Sequence, residues 1–141
     1  MSTKRITNAL RRQVAARARG NCEYCRSQEM YATESFSVDH IIPRVSGGKT
    51  EQENLAYACL GCNSYKSTQT SALDKAIGES APLFNPRKQK WNDHFTWNED
   101  LTEVIGITSI GRATIHALRL NRVNLINLRR LLLLIGEHPP K

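Results

Sequence analysis

The chain has 141 residues, with 20 Lys and Arg against 13 Asp and Glu, so its formal net charge is +7. Its length suits a single domain over residues 1–141, and its hydrophobic share of 40% is too large for a disordered polycation. Because no apolar stretch approaches the roughly 20 residues of a membrane-spanning helix, and the N-terminus lacks the apolar segment of a signal peptide, we expect a basic globular protein of the cytoplasm whose positive excess favours a polyanionic partner.

Residues 5–19 are predicted to form an amphipathic helix. Its apolar stripe consists of Ile6, Leu10, Val14 and Ala18. Gly20 is a typical residue just past a helix end. The other faces carry Arg11, Arg12, Arg17 and Arg19. These arginines either contact phosphates or are solvated, and the pattern leaves both interpretations open.

The four cysteines form two pairs of the same spacing, Cys22-x-x-Cys25 and Cys59-x-x-Cys62. Two such pairs can place four thiolates around one tetrahedral Zn²⁺. The alternatives are two disulfides, which need an oxidising compartment, and redox chemistry at one pair, which would not require the other. The spacing therefore predicts a closed structural zinc site. Its negative charge would be partly offset by nearby cations such as Arg19 and Arg26.

The segment between the pairs is predicted to form a strand, a loop, a second strand and a helix. The first strand covers residues 36–41 and ends before Pro43, which has no N–H for a sheet. A Ser-Gly-Gly turn at 46–48 precedes a return strand at 55–59. The helix is expected to begin at Cys62. Side chains alternate along the first strand, so His40 and Asp39 are expected on opposite faces.

This segment resembles the HNH endonuclease family over residues 22–67. Besides the cysteine pairs, the motifs that carry the resemblance are Asp39-His-Ile-Ile-Pro-Arg44, Gly47-Gly48, Asn54-Leu55 and Cys62-Asn63 followed by Lys66. The third motif residue of the family is often His and is Asn63 here, as in a recognised branch. The resemblance implies an α+β fold: a ββα-metal (His-Me finger) core held by the zinc site, with flanking N- and C-terminal helices.

The resemblance also implies a function, namely hydrolysis of DNA phosphodiester bonds with Mg²⁺ or Mn²⁺, leaving a 5′-phosphate and a 3′-hydroxyl. An imidazole can take a proton from water near neutral pH, so His40 is the expected general base. By resemblance, Asp39 and Asn63 hold the divalent cation, and Asn54 clamps the loop that bears His40. The alternative is a zinc-stabilised nucleic-acid-binding module without catalysis.

Three basic residues near the motif are candidates for phosphate contacts: Arg44, Lys49 and Lys66. Solvated surface is the alternative for each of them. Little of the chain is left for a base-reading module, so we expect weakly sequence-specific cleavage or nicking. A location in the cytoplasm at bacterial or phage DNA follows from the same resemblance.

Residues 82–141 are expected to pack on the core, and they are similar to the tail of short stand-alone bacterial HNH proteins. A short helix is predicted around residues 73–77, a basic loop at 82–90 and a strand at 91–97. His94 lies in that aromatic strand, where a structural role is expected.

Residues 106–119 are faintly similar to the hairpin of a helix-hairpin-helix motif, but Thr108 or Ser109 capping an ordinary helix explains them better. The last helix is predicted over about residues 123–135. Its apolar run, Leu131 to Ile135, is either buried or forms the seam of a homodimer, so both a monomer and a dimer stay open.

Overall fold

The computed structural model describes residues 5–141, and the structural statements below concern this part of the chain. Its α-helices are α1 (Asn8–Arg17), α2 (Leu60–Lys66), α3 (Trp91–His94), α4 (Ser109–Leu118) and α5 (Val123–Leu134). Its strands are β1 (Ser37–His40), β2 (Leu55–Ala58), β3 (Ser71–Asp74), β4 (Glu79–Pro82), β5 (Phe95–Trp97) and β6 (Val104–Gly106). This small mixed helix and strand architecture agrees with the expected α+β class.

The two predicted strands of the middle segment form an antiparallel pair. In its register Asp39 lies opposite Ala56 and His40 opposite Leu55. Every residue of β2 is buried. The following helix begins at Leu60, two residues before the predicted start, because Cys59 caps it with a sulfur that accepts a hydrogen bond from the Cys62 N–H at 3.4 Å.

The N-terminal helix packs its predicted stripe against β2. Val14 and Ala18 are buried, and the Thr7 hydroxyl caps the helix by accepting from the Leu10 N–H at 3.1 Å. Arg11, Arg12, Arg17 and Arg19 are all exposed. Arg17 also donates to the carbonyls of Gln52 and Leu55 at 2.9 and 2.7 Å, which fixes its guanidinium at the start of β2.

The helix predicted around residues 73–77 is wrong, because β3 and β4 form a hairpin there. Asp74 makes the turn: its carboxylate accepts from the Ala76 N–H at 3.0 Å, and its carbonyl accepts from Gly78, whose φ of +70° suits glycine. The carboxylate also accepts from Arg112 Nη2 at 2.9 Å. A contact from α4, far along the chain, therefore fixes this hairpin.

The strand predicted at 91–97 is wrong in its first half, where α3 forms one helical turn before β5. The turn brings Trp91 onto Phe95, with ring centroids 5.0 Å apart, and its indole N–H donates to the Tyr24 carbonyl at 2.9 Å. His94 lies 2.7 Å from the Thr108 hydroxyl. Thr108 caps α4, as expected for an ordinary helix.

The last helix divides the apolar run between core and surface. Leu132 is buried, but Leu131 and Leu134 are 62% and 83% exposed. On its inner face Arg129 is buried and donates to the carbonyls of Thr102 and Leu120 at 2.9 and 2.8 Å. Within residues 5–141 no helix is long and apolar enough to cross a membrane.

The pairing of Asp74 with Arg112 predicts a pH-dependent stability. Hydrogen bonds from Arg112 hold the pKa of Asp74 at about 2, below its ordinary value of 3.8. The stabilisation is therefore present above pH 3.8 and is lost as the pH falls from there through about 2. Asp74→Asn should lower the unfolding temperature at neutral pH, and the gap to the unsubstituted protein should close in acid.

Thermal unfolding followed by circular dichroism between pH 7 and 2 measures this gap. Asp93→Asn, at an exposed position, is the control and should change little. A gap that stays constant down to pH 2 would contradict the assignment.

Candidate functional site

The four cysteines converge in the core. Their sulfurs all lie within 4.8 Å of one another, all four are buried, and none forms a disulfide. The Cys25 and Cys59 sulfurs are 3.7 Å apart, close to the roughly 3.8 Å separation that a tetrahedral Zn²⁺ with 2.3 Å bonds imposes. This four-cysteine cluster thus has the composition and dimensions of a zinc site. Within residues 5–141 it is the one group of three or more His, Cys, Asp or Glu ligands that the structure brings together.

The thiols of the cluster influence one another. Hydrogen bonds from the other three thiols lower the pKa of Cys59, whereas burial raises the pKa of Cys22. Metal ligation requires all four thiols to lose their protons, which a bound cation favours.

The cation nearest the cluster is Arg122, which sequence reasoning missed. Its Nη2 lies 3.3 Å from the Cys59 sulfur. Of the two expected cations, Arg19 is exposed. Arg26 lies over the Trp91 ring, 5.1 Å from its centroid, and interacts electrostatically with Cys22 and Cys25. Arg122 stands 60 residues after Cys62 in the chain, so no local pattern could have indicated it.

The carboxylate of Asp39 is buried, with 4% of the residue exposed. The Tyr24 hydroxyl donates to it at 2.7 Å, and the Lys66 ammonium lies 3.2 and 3.3 Å from its two oxygens. Burial raises the pKa of Asp39, while Lys66 and Tyr24 oppose that rise. Asp39 is therefore held in one orientation by two donors from different elements.

Lys66 is only 1% exposed, so the expected phosphate contact of this residue is wrong. Its ammonium also donates to the carbonyls of His40 and Ile41 at 3.1 and 3.0 Å. Four oxygens around one buried ammonium hold the end of β1 against α2. The other two candidates for phosphate contacts, Arg44 and Lys49, are exposed.

His40 lies half-buried at the end of β1. Its Nε2 is 2.9 Å from the Thr50 hydroxyl, and Arg44 donates from Nη2 to that same hydroxyl at 3.1 Å. Burial, followed by the positive charges of Arg44 and Lys66, lowers the pKa of His40. The imidazole is therefore neutral at neutral pH and can accept a proton. Thr50 was missed because a threonine after a Gly-Gly turn carries no signal of its own.

Asn54 joins the two ends of the loop that follows His40. Its Nδ2 donates to the carbonyls of Ile42 and Lys49 at 3.0 and 2.9 Å, and its Oδ1 accepts from the Ile42 N–H at 2.9 Å. Gly48 permits this closure, because a Cβ there would lie 2.6 Å from the Ile42 carbonyl carbon. These hydrogen bonds join Ile42 to Lys49, and the role of Asn54 as a clamp stays a prediction.

Asn63 lies half-buried on α2, one helical turn before Lys66 and on the same face of that helix. Within the described residues its side-chain amide makes no hydrogen bond, so its oxygen is available to a ligand. A carboxylate offers about four lone-pair positions, and the contacts from Tyr24 and Lys66 do not use all those of Asp39. Carboxylate and amide oxygens are the donors that Mg²⁺ and Mn²⁺ prefer. Asp39 and Asn63 therefore offer the types of oxygen donor that such a cation takes.

Comparison with known families gives a match within this region. Residues 22–69 match the HNH endonuclease family model. The match confirms the resemblance to the HNH family and covers less than half of the chain. HNH proteins are generally nucleases that use divalent metals, so a hydrolase that acts on nucleic acid is the function supported at this level. Comparisons with curated proteins and with solved structures gave no match.

The position of Lys66 in the HNH segment predicts a large effect on stability. Lys66→Met should lower the free energy of unfolding by about 3–5 kcal/mol, because it leaves the Asp39 carboxylate buried without its cation. Denaturant titration measures this change. Lys49→Met, at an exposed lysine, is the matched control and should be nearly neutral.

The double variant Asp39→Asn with Lys66→Met removes both charges and should recover part of the loss. Equal stability of Lys66→Met and the unsubstituted protein would show that the pair is not buried in solution.

Proposed function

We propose that the protein is a metal-dependent endonuclease that hydrolyses DNA phosphodiester bonds, with His40 as the general base that activates water. The observation that carries the proposal is a neutral, half-buried imidazole at the end of β1, beside a loop closed by Asn54, within a segment that matches the HNH family. A positioned base of this kind contributes typically 10²–10⁴-fold to a rate.

The contacts of His40 favour one tautomer for this role. Two groups lie near His40 Nε2: the Thr50 hydroxyl at 2.9 Å and Arg44 Nε at 3.4 Å. The shorter contact is to Thr50, whose oxygen accepts from Arg44 Nη2 and can also accept from a protonated Nε2. The proton is then on Nε2, and the lone pair on Nδ1 is free to take a proton from water. The water oxygen attacks phosphorus while its proton passes to Nδ1. The bond from phosphorus to the 3′ oxygen breaks, and that oxygen takes up a proton from solvent.

Asp39 and Asn63 are the proposed holders of the divalent cation, Mg²⁺ or Mn²⁺. When bound, the cation supplies a positive charge that stabilises the phosphorane and the leaving 3′ oxygen. The protein's own part is orientation, because Tyr24 and Lys66 contact the Asp39 carboxylate and hold it in place. The products are a 5′-phosphate and a 3′-hydroxyl.

DNA is the proposed partner, held mainly by its backbone. Arg44 and Lys49 are exposed on the loop beside His40, and α1 adds exposed arginines at positions 11 and 12. Phosphate contacts carry no sequence information, so we propose weakly sequence-specific cleavage or nicking, and affinity should fall steeply with salt.

The proposed endonuclease comprises residues 1–141 as one domain. One hydrophobic cluster contains Val14 of the N-terminal helix, Leu55 of β2 and Leu125 of α5, which supports a single unit. Four free cysteines suit the reducing cytoplasm, where we place the protein.

Incubation with supercoiled plasmid and Mn²⁺ or Mg²⁺ tests the activity. The unsubstituted protein should convert plasmid to the nicked or linear form. His40→Ala should slow this by about 10²-fold or more, with unfolding temperature and DNA affinity retained. His116→Ala, at an exposed histidine of α4, is the control and should cut normally.

Undiminished cutting by His40→Ala would falsify the assignment of the base. If the unsubstituted protein binds DNA but cuts none with either metal, the protein is instead a binding module that uses the same surface.

The cation site is tested through the metal dependence. Asn63→Ala should raise the Mn²⁺ concentration for half-maximal cleavage by about tenfold or more, because it removes one neutral oxygen ligand. Paramagnetic broadening of water protons measures Mn²⁺ binding without any reaction. Asn92→Ala, at an exposed asparagine, is the control, and an unchanged Mn²⁺ titration for Asn63→Ala would exclude this ligand.

A further inference from the structure

A guanidinium from the tail of the chain contacts the four-cysteine cluster. Arg122 Nη2 lies 3.3 Å from the Cys59 sulfur, and Nη1 and Nη2 lie 3.7 and 3.8 Å from the Cys62 sulfur. These distances are within the range of N–H···S hydrogen bonds. One cation thus covers both sulfurs of the second cysteine pair.

Contacts away from the cluster hold the guanidinium in this place. Arg122 Nη1 donates to the carbonyls of Leu118 and Arg119, both at 3.2 Å, at the end of α4. Its backbone is the N-cap of α5. The guanidinium also lies 5.7 Å from the Tyr65 ring centroid. Arg122 is therefore aimed at the sulfurs by α4, α5 and α2 together, and does not lie there as a free surface side chain.

The second cysteine pair leaves space for this guanidinium. Gly61 lies between Cys59 and Cys62, and a Cβ at its position would come within 2.8 Å of Arg122 Cζ and closer still to Nη2. Gly61 lies in α2, and its backbone is not in the left-handed region that favours glycine. A side chain at position 61 would therefore have to displace the guanidinium of Arg122.

The negative charge of a metal-loaded cluster explains why a cation such as Arg122 is stabilising beside it. Four thiolates around Zn²⁺ carry a net negative charge in a buried place, where an uncompensated charge is costly. A planar guanidinium with several N–H donors can offset that charge and bond to two sulfurs at once. Hydrogen bonds to metal ligands commonly change metal affinity by about 10–100-fold.

We propose that Arg122 is the counter-cation of a zinc site formed by Cys22, Cys25, Cys59 and Cys62, and that it slows release of the metal. The proposal is independent of DNA cleavage, since it concerns metal retention alone. Arg122 acts as a positioning residue, because it contacts the ligands and not the metal. It also ties α4 and α5 to the metal site, so the tail and the HNH segment share one metal-dependent link.

The test is the rate at which zinc-loaded protein releases Zn²⁺ to a chromogenic chelator at pH 7. Arg122→Gln should release zinc about tenfold faster or more. Arg122→Lys should fall in between, because an ammonium keeps the charge but cannot bond to both sulfurs in the fork geometry. Arg119→Gln is the matched control: Arg119 is exposed and lies 4.7 Å from the same Tyr65 ring, and it should behave as the unsubstituted protein does.

A second variant and a spectrum separate this role from general destabilisation. Gly61→Ala leaves Arg122 in the chain but displaces its guanidinium, so it should accelerate release as Arg122→Gln does. In Co²⁺-loaded protein, loss of N–H···S bonds should move the thiolate-to-metal charge-transfer band to longer wavelength in both variants and not in Arg119→Gln.

Equal release rates for Arg122→Gln and the unsubstituted protein, an unmoved charge-transfer band, or purified protein that binds neither Zn²⁺ nor Co²⁺ would each overturn the proposal. Plasmid cleavage is not a readout here. A failure of the nuclease assignment therefore leaves this result unaffected, and the reverse holds as well.

Discussion

The convergence of four buried cysteines is the constraint on which the rest of the structure depends. The cluster joins the turn after α1 to the start of α2, and Cys59 is at once a cluster member and the cap of that helix. Four thiols packed at this distance gain little from one another without a cation, so folding and metal binding are expected to be linked. The strands β1 and β2 lie in the chain between the two cysteine pairs, so the cluster fixes both ends of the segment that contains them.

A second buried feature, the ion pair of Lys66 with Asp39, connects α2 to the end of β1, where the proposed general base His40 lies. The ammonium of Lys66 leaves α2 and contacts the carboxylate of Asp39 together with the carbonyls of His40 and Ile41. A buried ion pair is costly to form and costlier to break on one side, so it specifies a single placement of β1 on α2. The imidazole of His40 is therefore positioned in two ways: by the anchored end of β1 and by its own contact with Thr50.

The structure shows that the net charge of +7 is not all available at the surface. Several arginines bond to groups of the fold: Arg129 donates to buried backbone carbonyls, Arg112 pairs with Asp74, and Arg122 faces the cysteines. A guanidinium suits such places because it presents five N–H donors in a rigid plane. Only part of the positive excess is therefore exposed, and the total charge overstates the basic surface that a polyanion can contact.

The sequence by itself determined the features that depend on spacing and on residue chemistry. Repeated Cys-x-x-Cys pairs predicted the cluster, and the Asp-His motif located β1. Each of these follows from short motifs, whose geometry is local or is imposed by one metal site.

The tertiary structure alone decided which partners meet across long separations. Lys66 is buried beside Asp39 instead of reaching a phosphate, Arg122 crosses to the cysteines, and the hairpin of β3 and β4 replaces a predicted helix because α4 binds its turn. The physical reason is the same in each case: burial and ion pairing depend on neighbours brought together from distant parts of the chain, and these outweigh the local preferences that a sequence pattern expresses.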